Sequence, residues 1–225
     1  MTRIRTLLTL ALVLLLAPLA ASAQNFSLFV THGIPGDDGI FLVDIEVSGL
    51  GCAIPNFAFG TILGPLDLPA GTYDITIHAG GTNCGNPVLG PITDTFDEGQ
   101  NVSLVAHLTE SGDPTVSKFF NDFSKAYGRN RVIVHHVAAA GDVDVIFGRN
   151  KKRKDFVINQ LSNGEQVGAE LTPGNRFLTI AGSIGGPKVL GPAAIKLRPW
   201  LVTLAYAVGV PGESFTVISK SFYNR

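Results

Sequence analysis

The sequence predicts an all-β protein built from two tandem immunoglobulin-like antiparallel β-sandwich domains that follow a signal peptide. Two observations support this fold class. The 225 residues include 26 Gly and 13 Pro, and these turn-forming residues recur about every eight to twelve positions, as expected for short strands joined by turns. In addition, motifs of the first half return about a hundred residues later, a period that fits one small domain.

Five short motifs occur twice, in the same order. The pairs are Val30-Thr31-His32 with Val134-His135-His136, Val43-Asp44 with Val143-Asp144, Leu68-Pro69-Ala70-Gly71 with Leu171-Thr172-Pro173-Gly174, Val88-Leu89-Gly90-Pro91 with Val189-Leu190-Gly191-Pro192, and Val102-Ser103-Leu104 with Val202-Thr203-Leu204. The repeat therefore predicts two copies of one domain, residues 24–128 and 129–225.

Residues 1–23 have the pattern of a signal peptide. Arg3 and Arg5 precede an apolar run from Leu7 to Leu16, and Ala21-Ser22-Ala23 forms a small-residue cleavage site. Cleavage before Gln24 would export the remaining chain to the periplasm or the cell exterior. No second apolar run of spanning length follows, so we expect no integral membrane segment after cleavage.

Each copy contains seven predicted strands, the number found in immunoglobulin-like sandwiches. In the first copy the strands are expected near residues 27–32, 41–48, 56–62, 72–79, 88–97, 101–109 and 114–120. In the second copy they are expected near residues 131–136, 143–147, 155–159, 176–181, 189–195, 200–207 and 214–220. Tyr73, Ile75 and Ile77 alternate with polar residues, which is the period of a half-buried strand.

Cys52 and Cys84 are the two cysteines of the chain, and both lie in the first copy. In an exported protein such a pair indicates a disulfide. Closing a loop of this length would stabilise the fold by about 3 kcal/mol. The pair lacks the C-x-x-C spacing of redox-active cysteines, so a structural role is favoured.

A family resemblance follows from the motif order of the first copy. His32 is followed by Val43-Asp44, then by Phe57-Ala58-Phe59-Gly60 and by Leu68-Pro69-Ala70-Gly71-Thr72-Tyr73. This order resembles the exported bacterial family called domain of unknown function 4397, and the second copy matches it more loosely. Residues 33–39 and the basic insertion after Phe147 depart from the family pattern. The resemblance implies a secreted or surface-exposed β-sandwich without established chemistry.

The repeated His32 and His136 are candidate metal ligands or pH-sensitive groups, although histidines at the rim of a sandwich are more often bonded to loop backbone. Asp44 and Asp144 also repeat. Together with Asp37, Asp38 and Asp142 they could supply oxygens for Ca²⁺, but turn capping is the favoured interpretation because no calcium-loop motif is present.

Sequence signatures of enzymes are absent: the chain contains no G-x-S-x-G, no H-E-x-x-H and no P-loop motif. We therefore expect no enzymatic activity and no cofactor. A hydrolase with a loop-built triad, using His135 or His136 beside a serine, is the alternative that the sequence leaves open.

The two copies carry opposite charge. Residues 24–128 contain 12 acidic and 2 basic residues, a net charge of −10, whereas residues 129–225 contain 13 basic and 6 acidic residues, a net charge of +7. A basic run is expected at the tip of a hairpin between the second and third strands of the second copy. The candidate interaction residues in this run are Arg149, Lys151, Lys152, Arg153 and Lys154. The run is either a solvated loop that keeps a hairpin edge soluble or an electrostatic contact with an anionic partner.

These features favour a non-catalytic exported structural or interaction protein of the cell envelope or exterior. Its partner would be another copy, bound head to tail, or an anionic envelope component. The alternative is a binding module for an envelope glycan or other anionic polymer, for which Trp200, Tyr206, Phe222 and Tyr223 would count if they are exposed. Nucleic acid is disfavoured, because aromatic residues do not interleave with the basic run and the first copy would repel phosphate.

Overall fold

The computed structural model describes residues 24–36, 41–124 and 126–223, so the predicted signal peptide, Asp37 and Asp38 lie outside the described residues. The described residues form sixteen strands, and none of them belongs to a helix long and apolar enough to cross a membrane. The strands are β1 (Asn25–His32), β2 (Leu42–Val47), β3 (Gly51–Ala58), β4 (Ile62–Pro69), β5 (Gly71–Ala79), β6 (Pro87–Phe96), β7 (Asn101–Leu108), β8 (Pro114–Phe120), β9 (Asn130–Ala138), β10 (Val143–Gly148), β11 (Phe156–Leu161), β12 (Glu165–Leu171), β13 (Gly174–Gly182), β14 (Lys188–Leu197), β15 (Leu201–Gly209) and β16 (Thr216–Tyr223).

The strands form four sheets in two sandwich-like halves, which confirms the predicted all-β fold class. Sandwich 1 contains an inner sheet with the order β4-β1-β7-β8 and an outer sheet with the order β3-β2-β5-β6. Sandwich 2 contains an inner sheet β12-β9-β15-β16 and an outer sheet β11-β10-β13-β14. Adding eight to each strand number of sandwich 1 gives the order in sandwich 2, so the two halves share one topology.

The expected count of seven strands per half is wrong, since each half has eight. The additional strands, β4 and β12, lie at the edges of the inner sheets beside β1 and β9. In β4, Gly64 and Pro65 resemble turn residues in the sequence. The structure places Gly64 at φ +119° beside an irregularity in the β1–β4 register, a conformation that favours glycine.

Ten of the twelve strand pairs are antiparallel, and the two exceptions, β1–β7 and β9–β15, lie at the centre of each inner sheet. All nine residues of β15 are buried, and β7 and β9 are nearly as enclosed. Parallel strands occur where both faces of a sheet are covered, and such strands read as continuous apolar runs. The burial and the parallel pairing of these central strands therefore indicate that each inner sheet is covered on both faces, by its own outer sheet and by a second layer.

That second layer is the other sandwich, because the two inner sheets pack against each other. Along β7, Leu104 faces the interior of sandwich 1 while Val105 faces sandwich 2. The buried members of this third core, between the sandwiches, are Phe29, Val105, Phe119, Phe123, Ile133, Val137, Val202, Leu204, Tyr206 and Val208. The protein is thus a four-layer stack with three hydrophobic cores.

The repeated Asp44 and Asp144 sit opposite bulges in the pairing of β2 with β3 and of β10 with β11. The Asp144 carboxylate accepts one backbone hydrogen bond, from Gln160 at 3.1 Å. The Asp44 carboxylate accepts four, from Asn56 (2.7 Å), Gly81 (3.3 Å), Thr82 (3.0 Å) and Cys84 (3.3 Å). These bonds, led by that from Asn56, lower the pKa of Asp44 although burial opposes the shift. Asp44 therefore fixes the loop after β5 and the bulge between β2 and β3.

The disulfide between Cys52 and Cys84 is present, with a Cα–Cα distance of 5.7 Å. Cys84 lies in the loop after β5 that donates amides to Asp44, and Cys52 lies in the edge strand β3. The disulfide and Asp44 thus fasten the same loop to the outer sheet of sandwich 1.

Replacing Asp44 by Asn should lower the free energy of unfolding by about 1.5–3 kcal/mol, because the new amide group opposes backbone N–H donors and the charge that strengthens these bonds is lost. Urea denaturation at pH 7 would measure the change. Asp144→Asn is the matched control and should cost less than about 1 kcal/mol, since a single hydrogen bond is affected. Equal losses in the two variants would contradict this role for Asp44.

Candidate functional site

The strand register brings most cationic residues of sandwich 2 to one end. Asn130 at the start of β9 pairs with Leu171 at the end of β12, and Gly174 at the start of β13 pairs with Leu197 at the end of β14. We call this region the basic end. Its cationic residues are Arg129, Arg131, Arg149, Lys151, Lys152, Arg153, Lys154, Arg176, Lys196 and Arg198. The carboxylates in the same region are Asp155 and Glu170.

The opposite end of sandwich 2 carries acidic residues instead. Glu165 pairs with His136 at the far end of β9, and Asp142 and Glu213 lie in turns at that end. The described cation there is Lys188, at the start of β14. Sandwich 2 is therefore polarised along its strands, which the sequence count for the whole repeat does not reveal.

The candidate interaction residues lie where the sequence placed them, in the turn between β10 and β11. Asp155 forms ion pairs with Arg149 (3.2 Å) and Arg153 (2.6 Å). Lys151, Lys152 and Lys154 are exposed, and within the described part of the chain no ion pair involves them. Their charges are thus available to a partner.

Beside this turn, arginines line a surface depression of about 400 Å³. Arg129 donates to the carbonyl of Glu170 at 3.1 Å, and Arg176 donates to the carbonyl of Thr172 at 2.8 Å. Arg149 lines the same depression. These backbone contacts hold the guanidinium groups in place and leave further N–H groups for an anion, and the planar fork of arginine suits carboxylate, sulfate and phosphate.

Exposed aromatic residues adjoin the arginines. Trp200 is 55% exposed and Tyr127 is 82% exposed, and the backbone amide of Trp200 donates to the carbonyl of Arg129 at 2.9 Å. Trp200 also has a φ of +65°, a backbone conformation that is costly for a bulky residue and concentrates at functional positions. Tyr223 is exposed at the same end, whereas Tyr206 is fully buried and is not a surface aromatic.

One ion pair joins the basic end to sandwich 1 in the described residues. Arg131 contacts the carboxylates of Asp122 and Glu170, and Asp122 belongs to the segment that joins the sandwiches. The other described cations of the basic end form no ion pair with residues 24–128, and the two sandwiches meet through the apolar inner sheets. Among the described ion pairs, Arg131 is therefore the cation of the basic end that is neutralised by a carboxylate of residues 24–128.

The histidines are buried and bonded, and no metal site is formed around them within the described residues. His136 Nε2 lies 3.0 Å from the carbonyl oxygen of Gly141, and His32 stacks on Phe57. In the described chain, ligand-type atoms come together at Asp44, Cys52 and Cys84. The two sulfurs there form the disulfide and the carboxylate accepts four amides, so this group does not fit a metal ion.

A serine contacts a histidine that was not a sequence candidate. His107 Nε2 lies 2.8 Å from Ser117 Oγ, and its Nδ1 lies 2.9 Å from the carbonyl oxygen of Leu108. A carboxylate does not occupy the orienting position at Nδ1, and the His107 side chain is buried. This pair is therefore an incomplete triad. In the described part of the chain, His135 and His136 are hydrogen-bonded to groups other than serine, namely Ala205, Asn121 and Gly141.

His135 belongs to a polar network inside the third core. Its ring stacks on Tyr206 at a centroid distance of 4.2 Å, and its Nε2 lies 3.3 Å from Asn121 Oδ1. Asn121 and Tyr206 both bond the Ser103 hydroxyl, at 2.8 and 2.7 Å. Burial lowers the pKa of His135 to about 4, despite its bond to the carbonyl of Ala205, and raises the pKa of Tyr206 to about 12. Both rings are neutral at pH 7.

Acidification should lower the free energy of unfolding, because His135 lies in the third core between the sandwiches. Because the folded pKa of His135 lies below its ordinary value of 6.5, the unfolded chain binds the proton more readily. The stability that the neutral ring contributes is complete above pH 6.5 and declines as the pH falls to about 4, by about 3 kcal/mol in total.

Urea denaturation at pH 7 and pH 4 would measure this loss. His135→Gln, which cannot titrate, should show a smaller decrease over the same interval. Burial also lowers the pKa of His107 and His136, so part of the pH dependence should persist in the variant. Identical pH dependence in the two proteins would contradict the assignment to His135.

Comparison with known proteins identifies the family. No curated protein matches the chain significantly. A crystal structure of a "putative cell adhesion protein" from Bacteroides ovatus ATCC 8483 aligns over 88% of this chain and 96% of its own, at 7% identity and a TM-score of 0.25, a similarity too weak to carry an argument. The model of the family described as Domain of unknown function (DUF4397) matches residues 27–146, all of sandwich 1 from Ser27 and the start of sandwich 2. Whether sandwich 2 is a second copy of this family domain stays a prediction. The match covers more than half of the chain, and the protein therefore belongs to the DUF4397 family.

Proposed function

We propose that the protein is a non-catalytic, exported interaction protein whose basic end binds an anionic polysaccharide of the cell envelope or exterior. The observation that carries the proposal is the coincidence of ten cationic side chains with the exposed rings of Trp200 and Tyr127 at one end of sandwich 2. Arginine and lysine would attract carboxylate or sulfate groups along a polymer, and exposed aromatic rings offer flat apolar surfaces to sugar rings.

The arrangement of the sandwiches supports this use. The inner sheets bury their facing surfaces in the third core. At the ends of the sandwiches, by contrast, exposed turns are held by rigid strands. Loops at the ends of β-sandwiches commonly carry binding. The disulfide and the A-x-A segment at Ala21–Ala23 agree with an exported protein.

Head-to-tail association is the second candidate, in which the basic end meets the acidic sandwich of another copy. The net charge of −10 in residues 24–128 against +7 in residues 129–225 favours it. A heterologous contact of this kind closes a ring or extends as a filament. Sedimentation at low and high salt, without polysaccharide, separates the two candidates, because only self-association produces larger species under those conditions.

Replacing Lys151, Lys152 and Lys154 together by Glu should weaken binding to alginate, a polyuronate, by roughly tenfold or more at low salt. Among the described residues no ion pair involves these three side chains, so the fold should be unaffected. Lys188→Glu is the control, because Lys188 is an exposed cation at the opposite end. Trp200→Ala should also weaken alginate binding, with little change in its salt dependence.

Binding would be measured by biolayer interferometry on immobilised alginate, with neutral pullulan as the comparison polymer. The proposal predicts binding to alginate that weakens with salt and is insensitive to Lys188→Glu. Absence of alginate binding at low salt, or equal binding by the triple variant and the parent, would overturn it.

A further inference from the structure

Sandwich 1 contains an apolar cavity that its own core does not fill. The cavity has a volume of about 450 Å³ and lies between the inner and outer sheets. Its walls are core side chains of both sheets, among them Phe26, Leu28, Ile45 and Phe57. Protein interiors are normally packed to the density of organic crystals, and ligand pockets begin at about 300 Å³, so this space has the size of a binding site.

The cavity opens between two edge strands. The exposed residues of its lining are Leu50 in the β2–β3 turn, Ala53 in β3, and Pro65 and Asp67 in β4. Strand β3 is the edge of the outer sheet and β4 is the edge of the inner sheet. Leu50 is a large apolar side chain that is 54% exposed at the mouth. The mouth therefore presents apolar surface to solvent.

The same edge is closed in sandwich 2, so the fold itself does not require an opening. Ile54 pairs with Ile45 as Ile158 pairs with Val145, and Leu66 pairs with Leu28 as Ala169 pairs with Val132. Ile158 and Ala169 are both buried at 8% exposure, whereas Ile54 and Leu66 are only partly buried. Strands β11 and β12 contact each other across the edge. The opening at this edge is therefore specific to sandwich 1, whereas the cavity of about 460 Å³ in sandwich 2 is lined at the opposite edge, by strands β14 and β16.

The rim on the β3 side is anchored. Cys52 precedes Ala53 and is tied by the disulfide to Cys84, whose loop is held by the Asp44 carboxylate. An anchored edge strand keeps the mouth from rearranging freely, which lowers the entropic cost of binding a ligand.

The charges at the mouth restrict the ligand. Asp67 is the acidic residue of the lining, and the lining contains neither Lys nor Arg. A fatty acid carboxylate would meet Asp67 and the acidic repeat without a cation to pair with. An alkyl chain with an uncharged or cationic head group would instead leave its head beside Asp67 in solvent, with its chain among the apolar walls.

We propose that sandwich 1 binds a single-chain aliphatic molecule with an uncharged or cationic head group in this cavity, through the mouth between β3 and β4. This site is separate from the basic end and does not depend on the polysaccharide proposal. It would give the two repeats different ligands on one scaffold.

Displacement of N-phenyl-1-naphthylamine, an uncharged apolar fluorophore, would test the proposal with the full chain. The fluorophore should bind the protein, and dodecanol and dodecylamine should displace it at lower concentration than dodecanoate. Ala53→Trp narrows the mouth and should reduce binding at least tenfold, while Thr72→Trp, an exposed position outside the lining, should leave it unchanged. Thermal melting of each variant checks that it is folded.

Asp67→Lys provides a second arm that reverses the charge at the mouth and leaves the apolar walls unchanged. It should weaken dodecylamine and strengthen dodecanoate by roughly fivefold each, the effect of one exposed ion pair. Failure of the fluorophore to bind the parent protein would overturn the proposal. So would equal binding by the folded Ala53→Trp variant, or a ratio of dodecylamine to dodecanoate affinity that Asp67→Lys leaves unaltered.

Discussion

The packing of the two inner sheets against each other is the constraint on which the rest of the structure depends. A sheet covered on one side can alternate apolar and polar residues, but a sheet covered on both sides cannot. Strands β1, β7, β9 and β15 lie in that doubly covered position. Their polar side chains must therefore find partners inside the protein, as Ser103 does with Tyr206 and Asn121.

The same packing decides where function can reside. Because the inner faces are buried, the surfaces that remain are the outer sheets, the edges and the ends. Sandwich 1 leaves one edge open, with a disulfide fastening the rim, whereas sandwich 2 closes that edge and concentrates cations at one end. The two sandwiches thus have the same topology and differ in which exposed features they carry.

Much of this fold follows from short-range patterns. The alternation around Ile75, the repeated Val-Leu-Gly-Pro motif and the turn residues predict most strands because they express local strand and turn geometry. The strand β4 is concealed by Gly64 and Pro65, which locally indicate a turn. The parallel pairing of β1 with β7 joins segments far apart in the chain, and no local pattern specifies the partner.

Short-range sequence patterns also predict part of the candidate site. The run from Arg149 to Lys154 is contiguous, so the sequence shows it and the flanking strands place it at a hairpin tip. The strand register brings three further residues to the basic end, namely Arg129, Arg176 and Trp200. The sequence did not predict that they lie together with the basic run. The cavity in sandwich 1 was invisible in sequence, since it results from how far two edge strands stand apart. The difference between Leu66 in β4 and Ala169 at the equivalent position of β12 does not reveal the separation of the edge strands.

We expect the third core to make the two sandwiches one cooperative folding unit. Differential scanning calorimetry of the full chain at pH 7 tests it most directly. We expect a single transition whose calorimetric and van't Hoff enthalpies agree, because unfolding of one sandwich would expose to water the face of the other inner sheet that the third core buries. Two separate transitions, each with the enthalpy of about one hundred residues, would contradict it.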